Sequence, residues 1–271
     1  MNGIISRQKA GEKFVFTPYK KVAKEKFGVN SLLSLQQTKA EKSNKSGKYF
    51  SRIQHLSPSD ESGVFNTCPF ASKECKELCL NTTYRMRSDP STKARINRTA
   101  FLARDPQTYF HLLTGEILAT YRKAEKLGKT AAIRLNGTSD IRWEKRSVNL
   151  FGETYANIYD AFPEIIFYDY TKFPLDKMQR ALQQKNYHFV YSLSEKENSI
   201  SEAKEYQDIG INTAAVFRDK FPETFSLNGQ EFPTINGDLT DLIFTYPKNH
   251  IISLLAKGKA KYQKSSFVIS I

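Results

Sequence analysis

Ala131-Ala132-Ile133-Arg134-Leu135-Asn136-Gly137-Thr138-Ser139-Asp140 decides the fold. A short, mostly apolar run, of the length of a buried strand, passes directly into a polar loop containing glycine. The form recurs downstream. Ile165 to Tyr168 runs into Asp169-Tyr170-Thr171-Lys172, and His188 to Tyr191 into Ser192-Leu193-Ser194-Glu195. Thr213 to Phe217 meets Arg218-Asp219, Thr234-Ile235 meets Asn236-Gly237-Asp238, and Ile251 to Leu255 meets Ala256-Lys257-Gly258. Upstream, Phe50 to Leu56 makes a seventh candidate strand. Helical patterns lie between: Thr92 to Arg104, a longer one from Asp105-Pro106 to Gly128, Phe151 to Ala161, Leu175 to Gln184, and Ser199 to Ile209 with Gly210 after it. Asp105 is an N-cap followed by proline at the first helical position, and Gly128 is a terminator.

Alternating strands and helices predict a parallel sheet with helices outside it. A flat doubly wound sheet gathers its ligands at one switch point, whereas a barrel gathers residues from every strand end. Polar endings on all the candidate strands favour a partial (open) parallel β/α barrel of about six to seven strands, because a complete barrel needs eight. The expected layout is a basic N-terminal segment, residues 1–30, and a single barrel domain over residues 31–271. His55, Asn136, Asp140, Asp169, Lys172, Ser192, Glu195, Arg218, Asp219, Asn236, Asp238 and Lys257 would then face one basin.

The chain is 271 residues long with a formal net charge of +13. That charge favours anionic partners such as nucleic acid, though a basic surface also aids solubility. Residues 1–50 carry 11 Lys and Arg against 3 Asp and Glu, an excess of 8. Residues 1–30 read either as a solvated arm or as a contact surface for a polyanion. Lys39 to Gly47 reads as an exposed loop. Met1 to Lys13 has no apolar leader, and no run of eighteen apolar residues exists, so neither secretion nor a membrane is expected and the cytoplasm is.

All three cysteines, Cys68, Cys75 and Cys79, fall within twelve residues in the loop after the first strand. A disulfide would leave one thiol over, while thiolates suit iron–sulfur clusters and zinc. Spacing alone leaves both metals open: zinc with a fourth His or carboxylate, or a cluster. The polar strand ends tip the balance to a cluster with an open iron, which has use for such company, whereas a structural zinc site has none.

In architecture the chain resembles the radical S-adenosylmethionine (radical SAM) enzymes. They place three cysteines after the first barrel strand, where these hold a four-iron four-sulfur (4Fe-4S) cluster whose fourth iron binds S-adenosylmethionine. Their spacing is C-x3-C-x2-C, and this chain has C-x6-C-x3-C. Their second strand ends in a Gly-Gly-Glu-like motif, and Asn136-Gly137-Thr138-Ser139-Asp140 stands at that place. The resemblance implies that Asp140 or Thr138 receives the cofactor's amino group. From the strand-end positions, Asn136, Gly137, Thr138, Ser139, Asp140 and Asp238 are the candidate cofactor-binding residues, and Asp140, Asp169, Lys172 and Glu195 the candidate catalytic ones.

In sequence the chain resembles the bacteriophage gene product 88 family. Its landmarks here are Thr67-Cys68-Pro69-Phe70-Ala71, Cys75, Cys79-Leu80, Arg95, Arg98-Thr99 and Phe101. They continue through Arg134, Asn136 to Asp140, Phe167 to Lys172, Ser192 to Glu195, Asn236 to Asp238 and Ala256 to Gly258. This resemblance implies a phage origin, hence the host cytoplasm, and no reaction.

Each candidate has a plainer reading. Asp140 could cap its own loop, Lys172 pair with Asp169, Arg95 and Arg98 sit exposed on one helical face, and His55 be a packed residue. Tyr168 and Tyr170 flank Asp169 and so point away from it. Three functions compete: an iron–sulfur enzyme acting on nucleic acid or a nucleotide; a nucleic-acid-binding protein whose zinc fixes a loop; and a hydrolase using Asp140, Asp169, Glu195 and Asp238 around divalent metal.

Overall fold

The computed structural model describes residues 2–34, 47–83 and 86–271. Two helices open the chain, α1 (Ile4–Lys9) and α2 (Thr17–Phe27), followed by strands β1 (Leu33–Ser34) and β2 (Tyr49–Gln54). Then come the short α3 (Lys73–Glu77), α4 (Asp89–Arg104), α5 (Pro106–Lys126) and β3 (Thr130–Arg134). A hairpin of β4 (Val148–Leu150) and β5 (Glu153–Tyr155) and the short α6 (Ile158–Ala161) lead to β6 (Ile166–Thr171). The chain continues through α7 (Gln179–Leu182), β7 (Tyr187–Ser192), α8 (Ser199–Asp208) and β8 (Thr213–Phe217). It ends with β9 (Thr224–Leu227), β10 (Gln230–Asn236) and β11 (Ile251–Leu255).

Among the described residues, nine strands form one sheet in the order β1-β2-β3-β6-β7-β8-β11-β10-β9. The inner seven are the seven expected from the sequence, and every pair among them is parallel. Only the edge strands β1 and β9 run antiparallel to their neighbours. The protein is thus a mixed α/β fold with a large, mostly parallel sheet. Two apolar layers sandwich it. Phe167, Phe189, Tyr191, Ala215 and Phe217 join the main core with Phe101, Tyr109 and Leu113 of α4 and α5. Ala132, Tyr168, Val190, Ala214 and Ile252 pack on the other face against Leu242 and Ile243.

The longest helix, α5, begins as its sequence requires: Pro106 opens it, and the Asp105 carboxylate accepts the Thr108 N–H at 3.1 Å. Its apolar side buries Tyr109, Leu113, Ile117 and Leu118. The Tyr109 hydroxyl donates to Gln54 Oε1 at 2.5 Å, and Gln54 Nε2 donates to the Leu135 carbonyl at 3.1 Å. One buried amide therefore joins α5, β2 and the end of β3. Polar groups in such a position need partners, since an unmade bond there costs more than a made one returns.

Three segments differ from the sequence expectation. Phe151 to Ala161 is not one helix: Phe151 (φ 52°) and Gly152 (φ 84°) form a left-handed two-residue turn closing the β4–β5 hairpin. Asn228 and Gly229 (φ 48° and 80°) do the same between β9 and β10. Residues 4–27 form two helices whose Ile4, Ile5 and Ala23 are buried in the main core. The expected loop at Lys39 to Gly47 lies outside the described residues except for Gly47. Among the described residues, no helix is long and apolar enough to cross a membrane.

Tyr109→Phe keeps the ring and removes the donor to Gln54. It should lower the urea unfolding free energy by about 1–3 kcal/mol at unchanged m-value. An unchanged midpoint would show that Gln54 does not couple these elements.

Candidate functional site

The loops at the C-terminal ends of the first four parallel strands are tied into a ring. From the second loop, the Asp140 N–H donates to the Thr67 carbonyl of the cysteine loop at 2.8 Å, and the Thr138 hydroxyl to the Leu56 carbonyl at 2.6 Å. The Asp140 carboxylate accepts the Lys172 N–H of the third loop at 2.8 Å. Lys172 Nζ then donates to the Ser192 carbonyl, the Ser192 hydroxyl and the Leu193 carbonyl of the fourth, all within 2.9–3.0 Å. Glu195 closes the ring. It accepts the Ser72 hydroxyl at 2.5 Å and the Glu74 N–H at 2.9 Å, at the start of α3. Lys196 Nζ adds a bond to the Phe70 carbonyl at 2.8 Å.

Asn136 organises the second loop from within. Its carbonyl oxygen accepts from Ser139 Oγ, the Ile141 N–H and Trp143 Nε1, and its amide donates to the Ile141 carbonyl and Asp169. Gly137 is there for proximity. A Cβ would stand 2.5 Å from the Gln54 carbonyl and 2.5 Å from the His55 ring, so the room a side chain would take is already filled by β2. Asp169 is fully buried and accepts the Asn136 N–H at 2.7 Å, and burial holds its carboxyl well above the ordinary range. Asp238 belongs to a separate tie, accepting the Leu255 N–H at 3.1 Å and Lys257 Nζ at 2.5 Å between the ends of β10 and β11. Arg218 is spent on the carbonyls of Ala260, Lys261 and Gln263. The sequence-predicted residues therefore separate: Asp140, Lys172 and Glu195 gather beside the cysteine loop, while Asp169 lies beneath it and Asp238 on another tie.

Within the ring, Cys68, Cys75 and Cys79 line one pocket of about 240 Å³ together with Ser59, Asp60, Glu61 and Lys76. None is in a disulfide. Cys75 lies on α3, which Ser72 caps by accepting the Cys75 N–H at 3.2 Å. Ser59 has a left-handed backbone (φ 48°), rare for a residue other than glycine, and its N–H donates to Cys68 Sγ at 3.4 Å. An N–H aimed at sulfur favours the thiolate. Burial outweighs it and pushes the Cys68 thiol up to about 11; burial also raises Cys75, opposed by the nearby Lys172 charge. Behind the pocket, Arg95 is only 3% exposed, donates to the Met86 carbonyl at 2.8 Å, and acts electrostatically on Cys79 and Glu61. Arg98 is bonded to the Ser31 carbonyl at 2.7 Å. Ser59, Asp60 and Glu61 escaped the sequence reading; the capping serine at Ser72 was the legible signal nearby.

Among the described residues, no three His, Cys, Asp or Glu side chains are grouped as one metal ion would need. Thiolates that hold a cluster each bind a different iron and so stand further apart than ligands sharing one ion. The pocket, of about 240 Å³, is partly open to solvent and larger than a single ion. Three thiols line the pocket, and the sulfur of Cys68 already meets an N–H donor.

Fold and site define a mixed α/β protein whose cysteine loop is built into the strand-end loops of a parallel sheet. The chain matches the family described as gene product 88 over residues 30–271 and belongs to that phage family. No curated protein and no solved structure matches it.

Burial raises the Asp140 carboxyl to about 6 from its ordinary 3.8. A pKa raised on folding makes the native state bind the proton more readily than the unfolded chain. Its stabilising contribution is therefore full below pH 3.8 and declines as pH rises to 6. Asp140→Asn abolishes that titration. In the metal-free chain, stability of the native protein minus that of the variant should fall by about 1–3 kcal/mol between pH 4 and 6, then stay level. A difference that is flat across this window would show that Asp140 is not held as described.

Proposed function

We propose that Cys68, Cys75 and Cys79 hold a 4Fe-4S cluster at the loop end of a partial β/α barrel. The single observation that carries this is the three thiols opening on one pocket sized for several atoms. The strand order supports the barrel: five of the seven inner strands, β2, β3, β6, β7 and β8, succeed one another in sequence order, and the order reverses only in the last parallel pair, β11 and β10. When bound, such a cluster supplies one-electron chemistry and a Lewis-acidic iron. The chain's own contribution is to fix the thiols. Glu195 and Ser72 position the start of α3 and so Cys75, Thr67 and Asp140 position Cys68, and the Ser59 N–H meets the Cys68 sulfur. Burial keeps Cys68 and Cys75 protonated, so these thiols would have to lose their protons to hold metal. Asn136 to Ser139 are engaged in bonds within their loop and to the strand ends, which leaves S-adenosylmethionine without support there. A two-metal hydrolase draws no support, since Asp140, Asp169, Glu195 and Asp238 each serve a different backbone tie.

A nucleic-acid role rests on the opposite charge. Lys9, Lys13 and Arg122 line an open groove of about 660 Å³ with Phe14 and Val15. The acid in that groove, Glu12, is paired with Arg7 at 2.5 Å. Cations beside the exposed Val15 and the half-buried Phe14 suit a single strand, whose phosphates and bases need both charge and apolar surface.

Cys68→Ala, Cys75→Ala and Cys79→Ala should each remove most iron and acid-labile sulfide from anaerobically purified protein. Full iron in any one of them, or zinc in place of iron in the native chain, would defeat the cluster. The triple change K9Q/K13Q/R122Q should reduce the salt slope of single-stranded oligonucleotide binding by roughly 2 at about 0.7 per lost phosphate contact. An unchanged slope would move any such contact away from this groove.

A further inference from the structure

Three cysteines leave one iron of a four-iron cluster without a thiolate. The carboxylates around the thiols differ sharply in what they are already doing. Asp140 holds the Lys172 N–H, Glu195 holds Ser72 and the Glu74 N–H, and Glu74 holds Ser265 Oγ at 2.5 Å and the Phe267 N–H at 2.8 Å. Moving any of them toward a metal would break a loop tie. Glu61, on the pocket wall, accepts from Ser57 Oγ at 3.4 Å and lies in the field of buried Arg95. Asp60 is different. Its side chain is 67% exposed and lines the pocket with the three thiols. Its carboxylate accepts the exposed hydroxyl of the adjacent Ser59, at 3.2 Å, and pairs with Lys76, the residue after Cys75, at 3.6 Å, so neither contact ties it to a distant loop. An exposed pair of that kind contributes little and is readily exchanged.

We infer that Asp60 is the fourth ligand of the cluster, binding the iron that the cysteines leave open; this rests on the cluster reading given above. The geometry behind it is the turn at Ser59. Its left-handed backbone directs the Ser59 N–H to Cys68 Sγ and carries Asp60 onto the wall facing Cys75 and Cys79. In this structure Lys76, also on the pocket wall, pairs with the carboxylate at 3.6 Å. With the cluster present one carboxylate oxygen binds iron, and Lys76 remains beside it as counter-charge. The open side of the cluster thus faces the Pro58–Glu61 turn at the surface, and not Asp140, which the sequence had placed there.

The test uses the full-length chain, loaded anaerobically with iron and sulfide. One equivalent of ferricyanide takes one electron from a 4Fe-4S cluster in its 2+ state, which can then release one Fe2+ and leave a three-iron cluster of charge 1+. The native protein and Glu61→Ala should keep four irons. Asp60→Ala should release the fourth at least tenfold faster and develop the electron paramagnetic resonance signal of a three-iron cluster. Equal retention in native and Asp60→Ala protein, or loss in Glu61→Ala instead, overturns the assignment while leaving the cluster intact. A native chain that takes up no iron and sulfide overturns the cluster reading, and the assignment falls with it.

Discussion

Asp140 holds three segments of chain at once. Its N–H is bonded to the cysteine loop at Thr67, its carboxylate to the third loop at Lys172, and the strand it follows is fixed through Asn136 to Asp169. The ring that continues through Lys172, Ser192 and Glu195 returns to the cysteine loop at Ser72. A loop that must keep three thiols facing one pocket cannot rely on its own short helix, because α3 has only five residues and buries no side chain. Its order is imposed by neighbours, through charge-assisted bonds that are stronger than neutral ones. Carboxylates and a lysine that look catalytic in sequence are used here as ties.

That exchange of roles explains what was legible in the sequence. The inner strands were readable because a strand buried on both faces is a short apolar run, and Thr213–Phe217 and Ile251–Leu255 fall where that pattern places them. Their polar endings marked the correct end of the sheet. The partner of each polar residue was not readable, because it lies on a different loop: Glu195 bonds Ser72, 123 residues away. The Asn228-Gly229 turn carries a hairpin signal in its residue types, but the strand before it, Thr224–Leu227, is short and alternates polar with apolar side chains, and so shows no apolar run. The helix at Thr17–Phe27 had its markers too, proline near its start and Gly28 (φ 64°) after its end, obscured by an apolar face too sparse to show a period.

The family match starts at residue 30, after α2. Helices α1 and α2 therefore precede the matched region while contributing Ile4, Ile5 and Ala23 to the same core. The basic groove is built from both parts, residues 8–15 before the match and Arg122 of α5 within it, whereas the thiol pocket lies wholly in the matched part. The long helix α5 extends from the Gln54 contact at Tyr109 to the groove at Arg122.

The central claim is that three thiols seated by this ring hold four irons. Mössbauer spectroscopy of the chain produced anaerobically with 57Fe addresses it most directly, because it reports the coordination of every iron. The account predicts four sulfur-coordinated tetrahedral irons, three alike and one distinguished by a ligand other than thiolate. A spectrum of isolated ferrous ions, or protein carrying no iron at all, would contradict it.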